Sequence, residues 1–342
     1  MKDIELTYSP YILKLKKPFS TSKKKIKERK GFILKINDPA GFEGIGDACP
    51  FPEFGSESYS DIEKSLLKFK LNIKIDENNL FNSIKECLSE FERLPALRHG
   101  LEQAIINMLC NKNKTTIDKL LTIKLKKKIN VNSAIGMLKP DESVSAATKF
   151  IEQGYSTIKL KIGRENFDDD FNEIQAVRNA VGENVKLRID SNGKWNLNEA
   201  TKNLREIEKF NIEYAEQPVN EFDDYIELRK RTKIPLAPDE SIRTEKEAED
   251  YIDSGAVSYI ILKPMMLGGL TTTLNIIRKA EAKKIIPVIT SSFESAVGRT
   301  NIVIAAAATH SDAAHGVGIT NYFKNDLIND PYPIISGTII LN

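Results

Sequence analysis

The 342-residue chain holds three cysteines, three histidines and one tryptophan. Cys49, Cys87 and Cys110 lie far apart with no C-x-x-C spacing. That pattern argues against a disulfide framework or a thiolate zinc site and fits a reducing cytoplasm. No uncharged apolar run approaches the roughly 18 residues of a membrane span. The longest apolar stretch, IVIAAAA at 302–308, reads as a buried helix. The opening MKDIELTYSPYILKL alternates like a strand and lacks the apolar core of a signal peptide. A surplus of one charge sign is also missing: 50 basic against 48 acidic residues leave +2, which gives no electrostatic reason to expect nucleic acid. Two basic clusters, Lys23, Lys24, Lys25, Lys27, Arg29 and Lys30, and Lys126 to Lys128, have no interleaved aromatics and read as solvated surface. What remains is the composition of an ordinary globular protein, 41% apolar and 29% charged.

The first third reads as strands followed by helices, an α+β arrangement. ELTYSPYILKL and KGFILKIN are strand-like, and Ser60-x-x-Glu63 has the form of a helix-opening capping box. From about residue 128 strands and helices alternate strictly. Eight strand-like runs are separated by helical segments at 140–153, 166–181, 197–210, 221–232, 244–254, 270–284 and 295–309, with Thr244 and Glu247 as a further capping box. The expected organisation is an α+β capping domain over 1–122, a (β/α)7β barrel over 123–320, and a strand-like tail over 321–342 that packs back on the cap.

Five ionisable residues close five consecutive strand-like runs: Lys161, Asp190, Glu216, Asp239 and Lys263. They are 29, 26, 23 and 24 positions apart, about one strand-plus-helix unit each. Barrel enzymes place their sites at the C-terminal ends of the strands. Side chains two apart share a strand face, so Lys159 accompanies Lys161, Arg188 and Asn192 accompany Asp190, and Tyr214 accompanies Glu216. A single polar strand end is readily a solvated terminus; five in succession with consistent parity point to a site. Three carboxylates without histidine or cysteine suit a hard cation, Mg²⁺ with Mn²⁺ as the alternative, rather than zinc. Such a cation can bind a carboxylate and stabilise the enediolate formed when the neighbouring carbon loses a proton. Lysines on opposite sides of the barrel can carry that proton if nearby positive charge lowers their pKa.

The motifs K-x-K at 159–161, D-x-N at 190–192, E-Q-P at 216–218, D-E-S at 239–241 and K-P-x-x-L-G-G at 263–269 together resemble the enolase superfamily, in its muconate-lactonizing subgroup. The resemblance covers the whole chain. PFPEFGSES at 50–58, LPALRHGLEQAI at 94–105, SSFESAVG at 291–298 and HGVGITNYFKNDL at 315–327 are most similar to the o-succinylbenzoate synthase family. This likeness implies a TIM-like barrel with an N-terminal capping domain and a dehydratase acting on a cyclohexadiene carboxylate in menaquinone biosynthesis. It implies Lys161 as base, Lys263 as electrostatic partner across the barrel, and Lys159 tuning Lys161. Asp190, Glu216 and Asp239 would hold Mg²⁺, with Glu240 supporting them from behind. Asn192, Ser291, Ser292, His315 and Gly316 are the candidate substrate contacts. Phe51, Phe54 and segment 19–25 are expected over the barrel mouth. Trp195 is equally open to packing or substrate contact, and His99 and His310 read as structural. The expected partner is a small carboxylate, without nucleic acid or membrane, in a monomer or homo-oligomer. Dipeptide epimerases and N-acylamino acid racemases share the lysine pair and remain alternatives. The epimerases carry an acidic pair near the eighth strand, where this chain reads AAHGVGITNYF. A barrel that binds ligand without chemistry is a more distant alternative.

Overall fold

The computed structural model describes residues 4–20, 25–68, 75–319 and 322–341. Three antiparallel strands, β1 (Glu5–Ser20), β2 (Lys25–Asn37) and β3 (Glu43–Ala48), form the sheet of the cap. Alternation buries Phe32, Leu34 and Ile36 of β2. Three helices follow: α1 (Tyr59–Leu67), α2 (Leu80–Cys87) and α3 (Pro95–Lys112). The helix α3 crosses β3 at backbone distance. A Cβ on Gly46 would lie 1.9 Å from the Gly100 carbonyl oxygen, so glycine is required there for the two backbones to meet. Asn107 and Asn111 of α3 donate to the β3 carbonyls of Ile45 and Glu43. The capping box of α1 is formed by Ser58 and Asp61 rather than by Ser60 and Glu63; the chain turns into the helix two residues earlier, where Ser58 has extended backbone.

After the single turn α4 (Ile117–Leu120), the barrel begins with β4 (Lys128–Asn130) and β5 (Ser133–Ile135). The expected first strand is thus two short pieces. Then follow α5 (Pro140–Glu152), β6 (Thr157–Lys161), α6 (Phe167–Val181), β7 (Lys186–Asp190), α7 (Leu197–Ile207) and β8 (Ile212–Glu216). The series continues with α8 (Phe222–Arg229), β9 (Leu236–Ala237), α9 (Glu245–Ser254), β10 (Tyr259–Leu262), α10 (Leu270–Ala282), β11 (Ile286–Ile289) and α11 (Ala296–Ala307). Strands β5 to β9 form one parallel sheet and β10 and β11 another. Hydrogen bonds from Ser258 N to Leu236 O (3.1 Å) and from Ile261 N to Pro238 O (3.0 Å) join the two. The eighth position is a pair of bridges, His315 to Val131 and Gly316 to Thr290, which closes the ring.

Inside the barrel Tyr214, Ala237, Ile261, Val288 and Ala313 form a buried cluster of their own. Three of these sit two residues before Glu216, Asp239 and Lys263, so the same strand face supplies floor and site. Arg188 is fully buried in the barrel; its guanidinium donates to Glu213 (2.5 Å) and to the Ala314 carbonyl (2.7 Å), and lies 4.7 Å from the Tyr214 ring. The tail divides. Phe323 bridges Leu15 of the cap, whereas β12 (Thr338–Ile340) pairs antiparallel with β4 of the barrel. The last strand therefore pairs with the barrel rather than with the cap. No helix among the described residues is long and apolar enough to cross a membrane.

Candidate active site

Parallel register sets Lys161 beside Asp190, and Asp190 beside Glu216. The side chains meet. Lys159 Nζ lies 2.6 Å from Glu216 Oε1 and 3.3 Å from Asp190 Oδ2, and Lys161 Nζ is 2.5 Å from the same Asp190 oxygen. Lys263 is ion-paired with Asp239. Beyond β7, Asn192 takes a left-handed backbone (φ +48°). Its Oδ1 accepts from Lys161 Nζ at 3.0 Å and its Nδ2 donates to Glu240 Oε1 at 2.7 Å. The five strand-end residues, with Lys159, Asn192 and Glu240, form one cluster.

Its electrostatics are sharply divided. Burial opposes ionisation of Asp190, but Lys161 and Lys159 outweigh it and hold the carboxyl well below the usual range. Burial and then the Asp190 charge raise Glu216 to about 8. Asp190 thus ionises before Glu216. Glu240 is raised by burial and by Asp239. Burial disfavours the Lys159 ammonium, yet Glu216 and Asp190 raise its pKa well above the ordinary value. Lys263 is likewise raised, Asp239 and Glu240 prevailing over burial. Both are firm cations here. Lys161 is the most accessible of the three lysines, its side chain 27% exposed against 12% and 11% for Lys159 and Lys263.

The donor set suits a hard divalent cation in kind: three carboxylates on adjacent strands, with Glu216 Oε2 buried and without a hydrogen-bond partner. As the side chains stand, among the described residues no three acidic, histidine or cysteine side chains converge into a metal-holding group. Each carboxylate also faces an ammonium group: Lys159 meets Asp190 and Glu216, Lys161 meets Asp190, and Lys263 meets Asp239.

The surroundings sort the remaining expectations. Phe54 from the cap reaches the site, with Lys263 Nζ 5.3 Å from its ring centroid; Phe51 is fully buried behind it, 4.1 Å centroid to centroid. Segment 19–25 lies largely outside the described residues. Ser291 Oγ accepts from Phe293 N (3.1 Å), and Ser292 Oγ is buried without a partner. Gly316 joins the wall through Gly316 N to Ile289 O (2.9 Å) and Ser291 N to Gly316 O (3.1 Å). His315 corrects the expectation of a substrate contact. It has no exposed surface, its Nδ1 accepts from Ile289 N (3.0 Å), and its Nε2 lies 3.3 Å from Thr309 Oγ1. The ring belongs to the barrel wall. Trp195 is buried edge-on against Phe167, and His99 is buried with Nδ1 3.1 Å from the Asp47 carbonyl oxygen. His310 is exposed and pairs with Glu281.

Gln217 was missed by sequence reasoning. Its Oε1 accepts from Asp239 N (2.7 Å) and Ser241 N (3.3 Å), and its Nε2 donates to Val219 O (2.9 Å). It fixes the turn that carries Asp239. The available signal was its place directly after a strand-end carboxylate, where an amide can both donate and accept.

A family model described as enolase C-terminal domain-like matches residues 142–342. An o-succinylbenzoate synthase of Thermobifida fusca is 31% identical over 214 residues, covering 62% of this chain and 66% of that protein. An L-Ala-D/L-Glu epimerase of Bacillus subtilis is 26% identical over 353 residues, covering 99% of this chain and 94% of the epimerase. Among solved structures, a dipeptide epimerase of Enterococcus faecalis, complexed with Mg and the dipeptide L-Leu-L-Tyr, shares the fold at a TM-score of 0.89 and 22% identity, covering 100% of this chain and 97% of its own. With the lysines and carboxylates at the ends of consecutive barrel strands and a family match over more than half its length, the chain belongs to the enolase superfamily, in the muconate-lactonizing subgroup.

Proposed function

We propose that the protein is an o-succinylbenzoate synthase, which dehydrates 2-succinyl-6-hydroxy-2,4-cyclohexadiene-1-carboxylate to o-succinylbenzoate in the cytoplasm, as a step of menaquinone biosynthesis. The observation that carries this reading over its relatives is the eighth-strand region. From Ala313 to Tyr322 there is no aspartate or glutamate, so a substrate ammonium would be desolvated there without a partner. A cyclohexadiene dicarboxylate carries no such ammonium.

In this mechanism Lys161, the most accessible lysine, takes the proton from the carbon beside the carboxylate. The electron pair moves into the carboxylate as an enediolate. The Lys161 ammonium then delivers the proton to the departing hydroxyl on the same face; the C–O bond breaks, water leaves and the ring becomes aromatic. Lys263, held cationic by Asp239 and Glu240, offsets the enediolate charge from the other side. Asn192 holds Lys161 Nζ in place, and Lys159 stays between Glu216 and Asp190 as a fixed positive charge. Asp190, Glu216 and Asp239 would hold Mg²⁺, which when bound supplies positive charge to the substrate carboxylate. Ser292 is assigned to the succinyl arm, with Ser291 shaping its loop and Gly316, whose backbone is paired within the wall, lining the arm's side.

Purified protein assayed with the cyclohexadiene substrate and a dipeptide panel tests the reading. Turnover of the former and little epimerisation of the latter is expected. Efficient L-Ala-D/L-Glu epimerisation without dehydration would make it an epimerase. Absence of Mg²⁺-dependent α-proton exchange in D₂O with every substrate would leave a binding barrel.

A further inference from the structure

We propose that Arg29, a residue of the cap, is the positioning residue for the loop after the seventh barrel strand, and through it for the Ser292 end of a carboxylate subsite. The subsite assignment rests on the reading just given; the loop-holding role does not. Arg29 belongs to a basic stretch that reads as solvated surface, yet only 5% of it is exposed. Its Nε donates to Phe293 O (3.2 Å) in the barrel. Its NH2 donates to Pro50 O (2.9 Å), with Cys49 O (3.2 Å) and Ser292 O (3.4 Å) also in reach. The guanidinium stacks 3.9 Å from the Phe51 ring centroid. A buried cation spent on backbone carbonyls from two domains fixes the path of both chains.

The loop needs such fixing. Phe293 has φ +60°, a left-handed conformation that is unfavourable for a bulky residue and persists where surroundings enforce it. The loop satisfies its own N–H groups: Ser292 N donates to Glu294 Oε2 (2.7 Å) and Phe293 N to Ser291 Oγ (3.1 Å). The Ser292 and Phe293 carbonyls are turned outward to the cap, where Arg29 receives them. The far end is held by a second cap residue, Asp47, which accepts from Ser295 N (2.9 Å) and Ser295 Oγ (2.7 Å). Between these anchors the Ser292 hydroxyl is buried with no partner, a donor fixed in place for an incoming acceptor.

The test uses the full-length protein with Arg29→Met, Arg29→Lys and Phe293→Gly. Amide exchange of the 288–296 segment, read by mass spectrometry without substrate, should accelerate at least about tenfold in Arg29→Met, less in Arg29→Lys, with strands β6 to β8 within about twofold of wild type. KM for the substrate turned over best in the panel should rise at least about tenfold in Arg29→Met, with kcat and the Mg²⁺ dissociation constant within about threefold. In the Phe293→Gly background, where glycine accepts the left-handed backbone, the further effect of Arg29→Met should shrink to within about threefold. Unchanged exchange in 288–296 overturns the proposal. So does acceleration spread equally over the barrel with loss of Mg²⁺ affinity, which would mark Arg29 as general scaffolding. If exchange rises as expected but KM does not, the subsite assignment is overturned. A wild-type protein inactive on every substrate refutes the proposed function, while the exchange result still decides the loop.

Discussion

At the scale of single residues, one buried cluster drives its carboxyls apart in pKa. Glu216, raised to about 8, is favoured in its neutral form in the fold. Its contribution is fully present below the ordinary glutamate pKa and is lost as pH climbs through about 8. Asp190, depressed by Lys161 and Lys159, does the opposite: its contribution is present above the ordinary aspartate pKa and disappears as pH falls. Metal-free protein should therefore lose thermal stability between about pH 5 and pH 9, and Glu216→Gln should flatten that slope; melting curves across pH check this. Binding Mg²⁺ requires the ionised carboxylate. Titration calorimetry at pH 7 in buffers of different ionisation heat should therefore report release of about one proton per Mg²⁺. The lysines are separable by isotope. With single enantiomers of an N-acylamino acid in D₂O, Lys161→Ala should block α-proton exchange of the enantiomer whose α-proton faces it, and Lys263→Ala, which removes a cation across the barrel, should slow that exchange without abolishing it. Dehydration should fail in Lys161→Ala; wild-type dehydration in that variant would remove Lys161 from the base's role.

At the scale of elements, the cap depends on close approach between β3 and α3. Gly46→Ala places a methyl 1.9 Å from a backbone oxygen that no rotamer can move, and should cost about 3 kcal/mol or more. Gly41→Ala is a control of another kind. Its φ of +88° strains alanine, but nothing lies within 4 Å of the added carbon, so about 1–2 kcal/mol is expected. Urea midpoints rank the two, and equal losses would mean that backbone strain rather than contact dominates. The barrel elements were the most legible in the sequence, because short strand-like runs and helical-period segments alternate strictly from about residue 128. The expected helices agree with α5 to α11 to within a few residues at each end. Irregular closures were less legible: β9 is two residues long and the eighth strand only two bridges. Their pairing is made by hydrogen bonds to neighbours distant in sequence, which no local pattern records.

At the scale of the molecule, cap and barrel are joined by buried polar contacts. Glu102 of α3 accepts from Thr271 N (2.9 Å) and Thr271 Oγ1 (2.6 Å) at the start of α10. Gln103 donates to Val297 O (2.7 Å). Glu102→Ala leaves the Thr271 donors unpaired in a dry interface and should cost about 2–3 kcal/mol, lowering the urea midpoint in a single transition shared by both domains. A cap unfolding separately from the barrel would show that these contacts do not couple them. The tail adds a second tie, since Phe323 bridges the cap and β12 pairs with the barrel.

By itself the sequence determined which residues could share a site, because period-two alternation and a spacing of about one strand-plus-helix unit are local properties that survive in any barrel built from these strands. It placed Lys159 with Lys161 and Tyr214 below Glu216 on that ground alone. Only the tertiary structure decided what each side chain meets. Arg29 sits among lysines and reads as surface, but the loop after β11 folds against it and buries its charge on carbonyls. His315 stands at the eighth strand and reads as a pocket residue, but its ring satisfies a β11 amide and so turns into the wall. Burial and hydrogen bonding are set by other segments of the chain, some hundreds of residues away, and a one-dimensional pattern cannot say which of them will arrive.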